Sequence, residues 1–65
     1  MNNSIDSLIR QIEELKSMED AAYHLYGTIL PDISDPQDRA AVQRVQIEEE
    51  KHSKMAARIL TILRS

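Results

Sequence analysis

The stretch LPDISDP, residues 30–36, divides the sequence into two long segments with the apolar spacing of helices. Pro31 disfavours the helical conformation in the residue before it, so the first helix should end near Leu30. Asp35 has a side chain suited to an N-cap, and Pro36 is suited to the first position of a helix. The stretch therefore predicts a short turn between two helices.

The segments on either side of the turn predict one helix each, at about residues 4–30 and about residues 36–64, with the turn at about residues 31–35. Asn3 or Ser4 suits the N-cap of the first helix. A connection this short makes the two helices antiparallel neighbours, as in an αα-hairpin. The predicted fold class is all-α, and the chain is predicted to form a single two-helix hairpin.

The size of the chain indicates that one hairpin does not bury a sufficient core by itself. The chain has 65 residues, of which 42% are hydrophobic, and it has no Cys. At this length a lone core is marginal, and small domains usually depend on disulfides, a metal or oligomerisation. Disulfides are excluded because there is no Cys. We expect a homodimer or higher homo-oligomer, in which two hairpins form a four-helix bundle.

The composition argues against several classes of partner. The net charge is −3, and the eight Lys and Arg residues are scattered, so no nucleic-acid partner is expected. No apolar run approaches the roughly 20 residues that span a bilayer, so no membrane partner is expected. The beginning of the sequence, MNNSIDSLIRQ, lacks the basic and apolar regions of a signal peptide. A cytoplasmic location is expected.

Each predicted helix carries one apolar stripe, and three polar residues interrupt the two stripes. The first stripe consists of Ile5, Leu8, Ile9, Ile12, Leu15, Tyr23, Tyr26 and Leu30. The second stripe consists of Val42, Val45, Ala56, Ile59, Leu60 and Leu63. Glu19 lies near the centre of the first stripe, and Glu49 and His52 lie within the second. These three residues are the candidates for a functional site.

Glu19, Glu49 and His52 are predicted to converge in one layer of the core. Glu19 lies about 16 Å from the turn and Glu49 about 20 Å, a difference of less than one helical turn. Burying an ionised carboxylate unpaired costs several kcal/mol. Lys and Arg are poorly placed to neutralise this layer, except Lys16. Carboxylate oxygens and imidazole nitrogen suit iron, manganese or zinc, so the layer predicts a metal site.

A twofold pair of chains would offer four carboxylates and two imidazoles in this layer. Two divalent cations carry four positive charges, which balances four glutamates when the imidazoles are neutral. A dinuclear metal centre shared between two chains is therefore expected in the dimer only.

The residues that carry the site also resemble a known family. Residues 49–52 form a Glu-x-x-His motif, the spacing by which ferritin-like di-iron bundles present two ligands on one helix face. Residues 19–26 are similar to the E-x-x-A-x-x-x-Y pattern of rubrerythrin-type first helices. Residues 19–63 together resemble the first helical hairpin of a rubrerythrin or ferritin domain. Because the chain has one hairpin where such domains have two, it resembles the half-ferritins, above all the encapsulated ferritins.

This resemblance implies a di-iron ferroxidase that oxidises Fe²⁺ with dioxygen at a centre between two subunits, for iron storage or detoxification. It implies that Glu19 bridges or caps the metals, that Glu49 bridges them, and that His52 is a terminal ligand. Tyr23 or Tyr26 would lie beside them. Manganese or zinc could replace the iron.

The resemblance also implies an encapsulin shell as partner and a location inside a protein nanocompartment. Encapsulated ferritins carry a C-terminal extension that addresses them to the shell, and the sequence from Leu63 to Ser65 resembles no such address. The Cys-bearing rubredoxin domain of full rubrerythrins is also missing, so a peroxidase driven by an attached electron donor is not expected.

Other interpretations of the same residues stay open. Glu49 and His52 could belong to a solvated helix face, since a single Glu-x-x-His motif arises easily in Glu-rich helices. The three residues could form a hydrogen-bonded polar layer that fixes the register of a non-enzymatic dimerisation or adaptor module. They could also hold metal in a storage protein without catalysis.

Overall fold

The structure, a computed structural model, describes residues 3–65 of the chain. Helix α1 spans Asn3–Ile29, a single 3-10 turn spans Leu30–Asp32, and helix α2 spans Pro36–Arg64. The two helices pack against each other in antiparallel orientation and form a rod with extents of 54 × 14 × 11 Å. The all-helical class and the packing of two helices are thereby confirmed. The four-helix bundle stays a prediction, because it requires a second chain.

The ends of α1 differ slightly from the expectation. The N-cap predicted at Asn3 or Ser4 falls at the limit of the described residues, and α1 already includes both positions. At the other end, Leu30 belongs to the 3-10 turn rather than to α1. The turn closes when the Ile33 amide donates to the Leu30 carbonyl at 3.1 Å. A tighter final turn of this kind is common where proline follows a helix.

The start of α2 is held by the side chain that the sequence indicated. Asp35 Oδ1 accepts hydrogen bonds from the backbone amides of Gln37 and Asp38, at 2.8 and 3.2 Å. These amides have no partner within the helix, which is why the cap stabilises it. The Arg39 guanidinium donates to the Ile33 carbonyl at 2.8 and 3.1 Å and so ties the first turn of α2 to the loop.

The surface along which α1 and α2 meet, here called the seam, follows the spacing of a two-helix contact. Its residues are buried or half-buried and recur at alternating intervals of three and four, as in coiled coils. On α1 they are Ile9, Ile12, Lys16, Glu19, Tyr23 and Tyr26, and Leu30 of the 3-10 turn continues the series. On α2 they are Val42, Gln46, Glu49, Ser53, Ala56, Leu60 and Leu63. Only Ser53, Ala56 and Leu60 are fully buried among the described residues.

A second apolar surface of the hairpin is uncovered. Leu15, Met55 and Ile59 line one hollow beside the seam. Leu8 lies seven residues before Leu15 on α1, and Val45 lies seven residues before His52 on α2, so each lies on the same side of its helix as the hollow. These five apolar residues are called the open face below. They are between 36% and 62% exposed.

The open face separates residues that the sequence had placed in one buried stripe. Val45 and Ile59 are exposed in the single chain, although the apolar pattern of α2 grouped them with Ala56 and Leu60. The physical reason is the width of the apolar arc, because one partner helix covers only part of it. Helix α1 covers the edge that contains Ser53 and Leu60 and leaves the other edge uncovered.

Candidate metal centre

Glu19, Glu49 and His52 meet at the border between the seam and the open face. Each offers one ligand atom, and these atoms all lie within 4.8 Å of one another. His52 Nδ1 lies 3.5 Å from Glu19 Oε2 and 4.0 Å from Glu49 Oε1. The antiparallel packing of α1 and α2 produces this convergence, because it brings the middle of one helix beside the middle of the other. The three side chains could hold a metal ion.

The three candidate ligands differ in burial. The Glu19 and Glu49 side chains are 13% and 22% exposed, whereas the His52 side chain is 52% exposed. The two carboxyl groups therefore lie in the seam, and the imidazole lies at its rim, on the open face. In the single chain His52 is thus less buried than the sequence pattern indicated.

A hollow of about 180 Å³ adjoins the cluster on the open face. Its lining is mostly apolar and consists of Leu15, Glu19, His52, Met55, Ala56 and Ile59. Two of the three candidate ligands border this hollow directly. A second molecule that covered it would enclose the cluster in apolar surroundings, where interactions between charges are stronger than in water.

The closeness of the Glu19 carboxyl group raises the affinity of Glu49 for a proton. The pKa of Glu49 is raised above its ordinary value, first because its carboxyl hydrogen-bonds that of Glu19, and then because of burial and of repulsion by the Glu19 charge. His52 acts in the opposite direction. Two carboxylates this close repel each other when both are ionised. A divalent cation bound between them would relieve that repulsion.

Lys16 pairs with Asp20 rather than with a candidate metal ligand. The Lys16 ammonium, the one cation that the sequence placed near the layer, lies 2.9 Å from Asp20 Oδ2. Within residues 3–65, the ion pairs made by Glu19 and Glu49 are both with His52. The two carboxylates consequently have no ammonium or guanidinium partner in the part of the chain that is described.

One polar contact next to the candidate ligands was not predicted from the sequence. The Ser53 hydroxyl donates across the seam to Asp20 Oδ1, and Lys16 donates to the other oxygen of the same carboxylate. These bonds from Ser53 and then Lys16 lower the pKa of Asp20 below its ordinary value. The interval of three and four residues along the seam includes Ser53, but this spacing does not identify Asp20 as its partner.

The two tyrosines lie one and two turns after Glu19 on α1 and are half-buried. The Tyr23 ring packs edge to face on the ring of His24, with centroids 5.5 Å apart, and the Tyr23 carbonyl accepts from Gln46 Nε2 at 3.2 Å. His24 is exposed. A role for Tyr23 or Tyr26 beside a metal stays a prediction.

The donor set fits a first-row divalent metal. Two carboxylates and one imidazole suit iron, manganese and zinc, and three protein donors leave coordination positions for further ligands. Glu49 and His52 are one helical step of three residues apart on α2, so that both reach the same side of the helix.

Comparison with protein-family models, with curated proteins and with solved structures gave no match to this chain. The ferritin-like resemblance therefore rests on the two motifs that contain Glu19 and residues 49–52. Within residues 3–65, neither helix combines the length and apolar character required to cross a membrane.

Proposed function

We propose that two copies of the chain join through their open faces and act as a ferroxidase. Glu19, Glu49 and His52 of both chains would bind two ferrous ions, which dioxygen oxidises. The observation that carries this proposal is the convergence of the three ligand atoms within 4.8 Å, at the edge of an uncovered apolar surface. The ferritin-like motifs around the same residues support the choice of iron.

The accessible area supports a second copy as the cover of the open face. The chain exposes 5097 Å². A compact monomer of its mass, 7.5 kDa, exposes roughly 4,200 Å². The excess of about 900 Å² is close to the ~800 Å² that each partner buries in a standard protein interface. Burial of that surface against a twin chain would turn the elongated hairpin into a bundle with a shared core.

Charge supports two metal ions per pair of chains. Each chain contributes two carboxylates without Lys or Arg partners in the described residues. Four such groups in one apolar layer repel one another, and two Fe²⁺ ions carry the charge that neutralises them. One ion alone would leave two carboxylates uncompensated, at a cost of several kcal/mol for each.

The reaction requires little of the protein beyond binding and enclosure. Each Fe²⁺ is a substrate that loses one electron and becomes Fe³⁺. One dioxygen molecule takes up the two electrons from two Fe²⁺ ions, together with two protons, and becomes hydrogen peroxide. Glu19 and Glu49 would hold the two ions close together, and the negative charge of the carboxylates favours Fe³⁺ over Fe²⁺. Leu15, Met55 and Ile59 would exclude bulk water from the layer.

The experiment that tests this proposal is an anaerobic titration with Fe²⁺ followed by air. We expect about one iron per chain, consumption of dioxygen, and ferric absorbance that develops faster than in buffer alone. A folded oligomer that binds no iron, or that binds iron without accelerating its oxidation, contradicts the proposed activity. The second result would identify a metal-storage protein without catalysis.

A non-enzymatic dimerisation module is the second candidate, and one observation favours it. His52 Nδ1 already lies 3.5 Å from Glu19, so the cluster can form an ion pair without metal when the imidazole is protonated. A variant with Glu49→Ala and His52→Ala separates the two functions. Unchanged assembly with and without a chelator indicates the module. Loss of iron binding together with weaker assembly indicates the metal centre.

A further inference from the structure

The seam contains few contacts that can fix how far one helix is displaced along the other. The fully buried apolar residues are Ala56 and Leu60, and aliphatic contacts of this kind are not directional. A displacement by one residue moves a side chain about 1.5 Å along the helix axis. Metal ligands have to be placed within about 0.2 Å of their bonding distance. A metal centre built from both helices therefore needs a directional contact close to it.

The hydrogen bond from Ser53 to Asp20 is such a contact. Ser53 is 9% exposed, and it is the one buried polar residue among residues 4–65. Asp20 directly follows Glu19, and Ser53 directly follows His52. Each member of the hydrogen bond lies about 100° around its helix from a candidate ligand, at almost the same height. When Asp20 and Ser53 pair across the seam, Glu19 and His52 are brought to the same level at the border between the seam and the open face.

Asp20 has a second partner that matters for the centre. Its other carboxylate oxygen accepts from Lys16 at 2.9 Å. Lys16 precedes Glu19 by three residues, a spacing at which side chains of a helix can meet. Without Asp20, the Lys16 ammonium would be free to pair with Glu19 and to compete there with a metal ion.

We propose that Asp20 and Ser53 are positioning residues of the metal centre: their hydrogen bond fixes the register of α1 against α2, and Asp20 keeps the Lys16 ammonium away from Glu19. This inference rests on the proposed metal centre, although not on its ferroxidase activity. Neither residue touches the metal. Both act through the placement and the charge of Glu19 and His52.

The test of the register function is Co²⁺ binding, since Co²⁺ is stable in air and its visible absorption reports ligand geometry. We expect Ser53→Ala to weaken Co²⁺ binding by about 10-fold to 100-fold and to change the absorption bands. Ser53→Thr retains a hydroxyl and should restore both. The control is Thr61→Ala, which removes a hydroxyl of α2 that donates to the Ala57 carbonyl within the same helix and, among residues 3–65, makes no hydrogen bond across the seam. It should leave the affinity and the spectrum unchanged.

Asp20→Asn tests the second function, because the amide oxygen can still accept from Ser53 whereas the charge that holds Lys16 is lost. We expect weaker Co²⁺ binding, restored when Lys16→Gln is added. The Asp20→Asn measurement also tests the positioning inference if the Ser53→Ala variant loses its helical circular dichroism and so does not fold.

Two outcomes overturn the inference. One is a folded Ser53→Ala variant with the Co²⁺ affinity and spectrum of the unmodified chain. The other is an Asp20→Asn variant whose affinity is unchanged, or is not restored by Lys16→Gln. Failure of the unmodified chain itself to bind Co²⁺ would instead contradict the proposed metal centre, so the two failures are distinguishable.

Discussion

The seam and the open face belong to the same two helices, yet their residues differ in burial and in polar contacts. In the seam, Leu60 is 6% exposed and Ser53 has a hydrogen-bond partner across the interface. On the open face, Met55 is 62% exposed, and the adjoining carboxyl groups of Glu19 and Glu49 crowd each other. Leu60 and Ser53 are satisfied within one chain, whereas the open face lacks apolar cover and the adjoining carboxyl groups lack a Lys or Arg partner within residues 3–65. We therefore expect a second molecule to bind at the open face.

The largest effect on the free energy of unfolding is expected from a substitution in the seam. Leu60→Ala should lower the free energy of unfolding by about 2–5 kcal/mol, because it removes buried methyl groups and leaves a cavity. Ile47→Ala is the control, since Ile47 is 48% exposed and lies about 140° around α2 from His52. It should change the free energy by no more than about 0.5 kcal/mol. Urea unfolding followed by circular dichroism measures both, and equal effects would show that the seam is not the core.

A charge on the open face should affect assembly rather than the hairpin. Ile59→Lys should weaken self-association by at least about tenfold, a change of 1.4 kcal/mol, since two ammonium groups would be buried against each other. The helical circular dichroism of the monomer should persist. Analytical ultracentrifugation measures the association. Ile47→Lys is the matched control, and association weakened equally by both variants would place the interface elsewhere.

The N-cap of α2 is expected to contribute less. Asp35→Ala should cost about 1 kcal/mol of stability, because the amides of Gln37 and Asp38 lose their acceptor. Asp32→Ala changes a neighbouring acidic residue in the turn and should have a smaller effect. Thermal unfolding of the two variants measures the difference. If Asp32→Ala destabilises the chain more than Asp35→Ala, the capping account of the turn is wrong.

The smallest effect concerns the dependence of stability on pH, to which Asp20 and Glu49 should contribute in opposite directions. Because the pKa of Asp20 is lowered, its contribution to stability is present above the ordinary value of 3.8 and is lost as the pH falls through the lowered pKa. Because the pKa of Glu49 is raised above 4.5, its protonated form stabilises the fold, and this stability is lost as the pH rises through the raised pKa.

The measurement is the pH dependence of unfolding in metal-free protein. Glu49→Gln should remove the loss of stability at rising pH, and Asp20→Asn should reduce the loss at falling pH. An unchanged profile in Glu49→Gln would contradict the crowding of the two carboxyl groups.

The turn was the part of the fold that the sequence predicted best. Asp35 and Pro36 are local signals, since capping depends on residues that are neighbours in the chain, and α2 begins at Pro36 as they indicate. Leu30 was assigned to the first helix and instead begins the 3-10 turn. Its conformation depends on how the chain closes the loop, which helical periodicity does not report.

The candidate site was predictable in its members but not in its surroundings. Glu19, Glu49 and His52 lie on apolar sides of their helices, and the structure brings their ligand atoms together. The sequence did not show that His52 would be half-exposed, because the apolar arc of α2 is wider than the surface that α1 covers. Which edge of that arc becomes the seam is decided by contacts between distant residues, such as Ser53 and Asp20.

Native mass spectrometry of the chain under anaerobic conditions, with and without Fe²⁺, would detect the shared metal centre itself. We expect a species of two chains with two iron ions, and we expect Glu49→Ala with His52→Ala to remove the iron from that species. A monomer that carries the iron, or a dimer that stays free of iron at saturating Fe²⁺, would contradict a metal centre shared between two open faces.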